Sequence, residues 1–555
     1  MDLRFLKKRP SWLAAGWFVV ALVLAFPPFG WPVMVFFFLW PMVMWAMRAP
    51  RWKGFMLASV LASWSAWFLI LIWLRFIYPP WGWVALAALA AEAAIFPVTW
   101  LAAARWAAPR IKEATGWRRF WGMLGLAGLW VVLDWVRSWL FSGFLWCPLA
   151  AAFWKVPVFL QLAAWTGEAG VTFLLVLFNV AVALGAARAE FGKERLRLVQ
   201  RWTWYHNPDV YAGLLAVLIL LGWSPYYTLA GLKSRQQHTE RLFRAGLVQP
   251  WTPADLKWDE SKELENWRTL ANLTLALRDQ NVDVVVWPEA APPFAIAGPD
   301  TDEGRATVQS VVDAEGKPLI LGAVSLVPAD ASGKGGDYNS LFVMNPGTGL
   351  EPEFYAKQKR VPFGEYVPWR DWLPFLGKVV PLAADTLPGK WQQPLPLQVP
   401  GGKMLLAGPL ICYEDIFPAL ARQQAKAGAD FLVVVTNDAW YGVEGGALQH
   451  AAHSVLRAVE TRRPLLRCGN DGWSGWIDEY GFGYALEDVG GKPIPELMMD
   501  DKVSGTTYFR GAGVVSLNRD RDWAGQESFY VRYGDWFIVV SAGLVLVGAI
   551  GLKRR

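Results

Sequence analysis

Three side chains of complementary chemistry each close an apolar stretch. Cys412 ends the run Met404-Leu405-Leu406-Ala407-Gly408-Pro409-Leu410-Ile411 and is followed at once by Tyr413-Glu414-Asp415. Glu289 follows Val284-Val285-Val286-Trp287-Pro288, and Lys357 follows Glu353-Phe354-Tyr355-Ala356. A thiolate is strongly nucleophilic and its thioester stays reactive toward amines, so a cysteine suits the temporary carriage of an acyl group. The thiol first needs a base, and an ester or amide under attack needs its developing oxyanion stabilised. A carboxylate within reach supplies the base; an ammonium stabilises the oxyanion and favours the thiolate by its charge. Glu289, Lys357 and Cys412 provide one of each. Taken singly, each has a plainer reading. A cysteine after an apolar strand is more often packing, Trp-Pro-Glu suits a helix start, and Lys357 shares a basic loop with Lys359 and Arg360.

The segments that must position these groups alternate between strand and helix. Strands are predicted at 242–249, 282–287, 319–324, 340–344, 404–411, 431–435, 464–468 and 473–477, with helices at 259–279 and 448–461. Apolar, β-branched runs separated by helical segments imply an α/β layered domain with buried sheets over 240–517. Pro409 is unusual inside such a strand and is expected to mark its end or a bulge. Gly- and Pro-rich stretches at 328–338 and 345–352 read as loops, and 361–369 and 440–447 as loops able to cover a site. The three cysteines, Cys147, Cys412 and Cys468, are an odd number without metal-ligand spacing, so neither a disulfide framework nor a metal or other cofactor is expected.

The rest of the chain is of another kind. A hydrophobic share of 54% against a charged share of 18% lies outside the soluble range, and the excess falls in 11–228 and 533–552. About eight spans are predicted, at 11–28, 31–47, 55–77, 82–105, 120–141, 160–186, 210–228 and 533–552. This gives a membrane domain over 1–230 with seven helices, then the α/β domain, then a last helix and basic tail over 530–555. Arg4, Lys7, Lys8 and Arg9 precede the first span without a small-residue cleavage site, which reads as an uncleaved anchor. Lys and Arg cluster after the second, fourth, sixth and eighth segments and avoid 28–31 and 78–81. By the positive-inside rule both termini are cytoplasmic and 229–532 lies on the opposite side. Because the basic runs flank apolar segments, orientation explains them and a nucleic-acid partner is not expected. Asp134 and Arg137, one turn apart, read either as an ion pair inside the bundle or as a lipid-headgroup contact. Glu168, between Gly167 and Gly170, suggests a helix irregularity.

Trp287-Pro288-Glu289, Lys357 ahead of Val361-Pro362-Phe363-Gly364-Glu365, and Ile411-Cys412-Tyr413-Glu414 resemble the three catalytic segments of the carbon–nitrogen hydrolase (nitrilase) superfamily. Leu256-Lys257-Trp258-Asp259-Glu260, Thr436-Asn437-Asp438-Ala439-Trp440-Tyr441-Gly442 and Arg457 to Asn470 bring the likeness closer to its membrane-bound branch, the apolipoprotein N-acyltransferases. The resemblance implies an α-β-β-α sandwich carried by a polytopic helical domain in a bacterial inner membrane, with the sandwich on the periplasmic side. It implies Glu289 as general base, Lys357 as stabiliser of the tetrahedral intermediate and Cys412 as acyl carrier. Glu365, Tyr413 and Glu414 would support the site, the Tyr413 N–H joining the oxyanion hole, and Trp258 and Trp440 would meet substrate. The implied donor is a membrane phospholipid and the acceptor a diacylglyceryl-modified apolipoprotein. The triad alone does not exclude a membrane-tethered nitrilase or amidase acting on a small nitrile or amide; a complete Glu/Lys/Cys set argues against a transporter or receptor, which would use Asp134, Arg137 and Glu168.

Overall fold

Long apolar runs close their backbone hydrogen bonds most economically as helices, and this dictates the first part of the protein. In the computed structural model, residues 10–77, 80–191, 208–328, 335–368, 370, 372, 385–484 and 508–553 are described. The basic residues at 193–201, Lys7 to Arg9, and Arg554 and Arg555 lie outside them, as does much of 478–527. The chain divides into two compact units. One comprises 1–230, 444–452 and 533–555, and the other 231–443 and 453–532.

In the first unit, six described helices are long and apolar enough to cross a membrane: Trp52–Ile70, Trp81–Glu113, Gly116–Arg137, Glu168–Ala187, Val210–His238 and Trp536–Lys553. Two shorter apolar segments, Trp12–Ala25 and Pro32–Met47, precede them. The second of these is not one continuous helix. A 3-10 turn, Pro32–Phe36, is followed by an α-helix, Trp40–Met47, with a proline early in each. Asn179 repairs the break. Its Oδ1 accepts from the N–H groups of Leu39 (3.0 Å) and Trp40 (3.3 Å), and its Nδ2 donates to the carbonyls of Val35 (2.8 Å) and Leu175 (2.9 Å). A buried amide thus replaces the partners that helix geometry would have supplied. Near Glu168 the helix Ala163–Thr166 stops at Gly167, whose φ is +67°, and a new helix begins at Glu168. The carboxylate there sits at the positive end of the new helix dipole.

The last helix is held by close approach. A Cβ at Gly128 would lie 2.7 Å from the carbonyl oxygen of Ser541, and one at Gly548 would lie 2.7 Å from that of Trp121. Glycines on both helices let two backbones meet as only small residues allow. Residues 444–452 join this unit through Gln449. Its Oε1 accepts from the indoles of Trp73 (3.0 Å) and Trp146 (2.8 Å), and its Nε2 donates to the carbonyls of Pro27 (2.8 Å) and Ile70 (2.9 Å). Asp134 and Arg137 pair at 3.1 Å, the guanidinium also lying over the Trp67 ring.

The second unit is built from two six- to seven-stranded sheets. The first runs β13 (Gly511–Asp520), β1 (Thr239–Gln249), β2 (Val284–Trp287), β3 (Leu319–Val327), β4 (Gly336–Asn345) and β5 (Gly349–Leu350), with β6 (Tyr355–Ala356) beside β4. The second runs β12 (Gly483–Tyr484), β11 (Gly475–Ile477), β10 (Leu465–Gly469), β9 (Phe431–Thr436), β8 (Lys403–Ile411) and β7 (Leu395–Val399). The sheets face each other, β1 and β2 against β10 and β4 against β7 and β8. Helices Glu263–Leu275 and Asp302–Glu315 cover the first sheet, and Pro418–Lys426 covers the second. This is a helix–sheet–sheet–helix sandwich. Strands β2, β8 and β9 are buried throughout or nearly so, as runs covered on both faces must be. Pro409 neither ends β8 nor bulges it. Pairing with β7 stops at Ala407, while pairing with β9 continues through Pro409 to Ile411, so the missing N–H falls where β8 has become an edge. The three thiols are unbridged and buried. Cys468 is a core thiol, its sulfur 3.4–3.5 Å from the carbonyls of Val286 and Val248 in the opposite sheet.

Candidate active site

Each of the three candidate residues stands just past the carboxyl end of a strand: Glu289 after β2, Lys357 after β6, Cys412 after β8. A sheet fixes such positions more rigidly than a loop can. The backbone at two of them is strained. Cys412 has φ +49°, and Ala290, next to Glu289, has φ +45°. A β-strand that turns abruptly through the left-handed region projects its side chain out of the sheet, at a cost of about 1–3 kcal/mol per residue.

Lys357 is almost fully buried, and its Nζ lies 3.1 Å from Glu289 Oε1 and 2.9 Å from Glu365 Oε1. Asn339 Nδ2 donates to the same two oxygens at 2.7 and 3.1 Å, while the Asn339 backbone carbonyl accepts from the Lys357 N–H at 2.8 Å. The other oxygen of Glu365 accepts from the Val361 N–H at 2.8 Å. Two carboxylates, one ammonium and one amide therefore form a closed array. Burial pushes the Glu289 carboxyl up, but the ammonium groups of Lys357 and Lys257 outweigh it and hold the group below the usual carboxylate range. Burial alone would discharge Lys357; the paired carboxylates of Glu289 and Glu365 raise it instead, so it stays protonated. Burial pushes the Cys412 thiol up, the Glu289 charge adds to this, and Lys357 opposes it. The resting thiol is neutral and must lose its proton to a neighbouring base on reaction.

Glu414 ties two of these segments together. Its Oε1 accepts from the N–H groups of Gln358 (2.6 Å) and Lys359 (3.0 Å), and its Oε2 from the Ile411 N–H (2.9 Å) and the Tyr355 hydroxyl (2.9 Å). One carboxylate thus fixes the loop carrying Lys357 to the turn carrying Cys412. Burial pushes it up to about 7, opposed by the backbone N–H groups. Behind the thiol, Arg467 is wholly buried and bridges Asp415 (2.9 Å) and Asp438 (3.0 Å). Ser454 donates to Asp415 at 2.6 Å, and Thr436 to Asp438 at 2.8 Å. Tyr413 is buried edge-on against Phe417.

The chain matches the sequence profile of the apolipoprotein N-acyltransferase N-terminal domain over residues 19–181 and that of carbon-nitrogen hydrolase over 244–494. A protein from Geobacter metallireducens named apolipoprotein N-acyltransferase is 30% identical over 99% of this chain and 96% of its own length. The chain belongs to the apolipoprotein N-acyltransferase family. A protein of the same name from Pseudomonas aeruginosa is 33% identical over 64% of each chain. Among solved structures, an amidase from Nesterenkonia sp. is 16% identical, covering 54% of this chain and 97% of its own, with a TM-score of 0.35. Family membership makes the protein an acyltransferase with a nitrilase-type domain, and its several long apolar helices are those of a bacterial membrane protein.

Trp258 is half exposed and Trp440 partly buried, the first on the segment after β1 and the second in a 3-10 turn after β9. Neither Asn339 nor the pairing of Arg467 with Asp415 and Asp438 is among the site residues expected from the sequence. Arg467 did carry a signal, a guanidinium inside Leu465-Leu466-Arg467-Cys468, because a charge in a buried strand requires partners. Asn339 sits in an ordinary strand and carried none. One prediction concerns the tie between segments. Glu414→Gln keeps the volume but turns an amide N–H₂ toward donors, leaving buried N–H groups unpaired. Acyl transfer falls about 10–100-fold and stability by about 2–4 kcal/mol, read by turnover and thermal unfolding. Wild-type values would show that the tie is dispensable.

Proposed function

We propose that the protein transfers an acyl chain from the sn-1 position of a glycerophospholipid, through a thioester on Cys412, to the α-amino group of the N-terminal diacylglyceryl-cysteine of apolipoproteins. The observation that carries the reading is the buried Glu289–Lys357–Glu365 array beside a strained, neutral cysteine, in a chain of this family. Glu289 is charged at rest and takes the thiol proton as sulfur attacks the ester carbonyl. Lys357, kept cationic by its two carboxylates, stabilises the oxyanion together with the Tyr413 N–H. The intermediate collapses, the ester C–O bond breaks, and Glu289 returns its proton to the departing lysophospholipid oxygen. The acceptor amine then attacks the thioester carbon; Glu289 takes a proton from nitrogen and passes it to the Cys412 sulfur as the C–S bond breaks. Glu365 and Asn339 position Lys357 and Glu289. Trp258 and Trp440 meet the lipid chains.

The polarity of basic residues supports a periplasmic sandwich and cytoplasmic termini in the inner membrane. Donor and acceptor are both anchored in that bilayer, so an enzyme with its own spans reaches them without extracting either.

The test supplies phospholipid vesicles carrying a labelled sn-1 chain and a synthetic diacylglyceryl-cysteinyl peptide with a free amine. The expected product is the peptide with the label in an amide bond that resists hydroxylamine. Release of labelled fatty acid with an unmodified peptide would mean a hydrolase and end the proposal.

A further inference from the structure

A second lysine enters the site from the segment after β1. Lys257 is buried, and its Nζ donates to the backbone carbonyl of Glu289 at 2.8 Å. It contacts nothing else through Nζ among the described residues beyond the distant face of the Trp258 ring, leaving two of its three donors unused. Its charge is felt by Glu289, Asp471 and Cys412, and burial holds it down to about 8.

Asp471 is the counterpart. It follows β10 and is 3% exposed, yet its Oδ1 is buried without a hydrogen-bond partner, and among the described residues its carboxyl receives no hydrogen bond at all. The carboxyl is pushed well above the usual range by burial and by Asp438, Lys257 opposing, so it ionises only with a further cation beside it and is then a strong proton acceptor. Its backbone is not loose. Asn470 accepts from the N–H groups of Trp251 and Thr252 at 2.8 and 3.1 Å, and donates to Thr252 O and Asn437 Oδ1 at 2.8 and 2.9 Å. A rigid frame thus presents a carboxyl with nothing to bind, in the electrostatic reach of the same lysine that contacts Glu289. Buried polar groups without partners are rare, and in a site they point to a ligand that supplies the missing donor.

The acyl acceptor carries such a donor. An α-amino group is largely an ammonium near neutral pH and must lose a proton before it can attack a thioester. Glu289 handles the one proton that travels from nitrogen to sulfur, so the other needs a second acceptor. We propose that Asp471 binds the α-ammonium of the acceptor through its N–H groups and takes the first of its protons, with Lys257 holding the Glu289 backbone against it. Proton balance follows. One proton goes from ammonium to Asp471 and on to water, the amine lone pair forms the C–N bond, Glu289 takes the second proton and delivers it to sulfur, and the amide keeps the third. The inference rests on the acyltransferase reading above.

The experiment separates the half-reactions in the full-length protein. Asp471→Asn, equal in size and without charge, is loaded with labelled phospholipid, and the Cys412 adduct is then discharged either by the diacylglyceryl peptide or by hydroxylamine, a nucleophile that is neutral at neutral pH. Loading is expected to change by less than about threefold and hydroxylamine discharge likewise, while discharge by the peptide amine slows about 10–100-fold. Asp471→Glu is expected to recover part of the loss. Peptide discharge within about twofold of wild type would overturn the proposal. So would a variant that fails to load, or one that loses hydroxylamine discharge equally, since Asp471 would then serve the general site and not the amine. Failure of wild-type protein to load at all would instead remove the acyltransferase reading beneath it.

Discussion

Cys412→Ala lowers acyl transfer by about four to six orders of magnitude, the range found when a covalent nucleophile is removed from a site whose other parts remain. The size follows from what the thiol alone does. Without it neither half-reaction has a carrier, and direct attack of the amine on the phospholipid ester would need both lipid-anchored substrates to meet in one cavity. The fold loses little, because one sulfur atom leaves a site already organised by Glu414 and by Arg467 with its two carboxylates. The check is a rate of peptide N-acylation beside a thermal melt. Residual activity within about a hundredfold of wild type would mean that the acyl chain travels by another route.

Lys357→Met combines loss of rate with loss of stability. Among the described residues its ammonium is the cation that lies between Glu289 and Glu365, at 3.1 and 2.9 Å, and all three groups are buried or nearly so. Removing it forces two carboxylates together without compensation, which costs about 3–5 kcal/mol. At about 2–4 °C per kcal/mol for a domain of this size, the melting temperature falls by roughly 6–20 °C. Loss of the oxyanion donor adds a drop of about 10²–10³ in turnover. Glu365→Gln in the Lys357→Met background removes one of the opposed charges, and is expected to restore part of the stability and none of the rate. That split distinguishes a cation needed for chemistry from one needed only for folding. Lys357→Arg does not rescue turnover either, because a planar fork cannot occupy the position of a compact ammonium between two carboxylates. Recovery of activity along with stability in the double variant would contradict the assigned role.

Much of this was legible in the order of residues because the chemistry is local to strand ends. Val284 to Trp287 and Met404 to Ile411 are apolar runs whose last residues must leave the sheet, so Glu289 and Cys412 announce themselves by position. The long apolar helices were legible for the same reason, since hydrocarbon leaves the backbone little choice, although the segment read as 160–186 is broken at Gly167. What escaped depends on distant pairing. Nothing near Asn339 shows that its side chain will meet Glu289 and Glu365, since that contact needs β4 to lie next to β3 and β6. The interrupted second segment escaped because Asn179, which satisfies its break, is far along the chain. Pro409 was misread from local rules alone, for whether a strand is central or an edge at one residue depends on where its neighbour stops. Residues 444–452, which cluster with the helical unit although they lie within the span of the sandwich in sequence, gave no compositional sign.

The most direct test of the central claim is to locate the acyl chain on the protein. Wild-type enzyme would be incubated with phospholipid labelled in its sn-1 chain, in the absence of acceptor, then digested and mapped by tandem mass spectrometry. The predicted result is one labelled peptide, carrying the chain on the Cys412 sulfur and losing it to hydroxylamine. A chain found on any other side chain, or an adduct that persists in Cys412→Ser with the same lability, would contradict it.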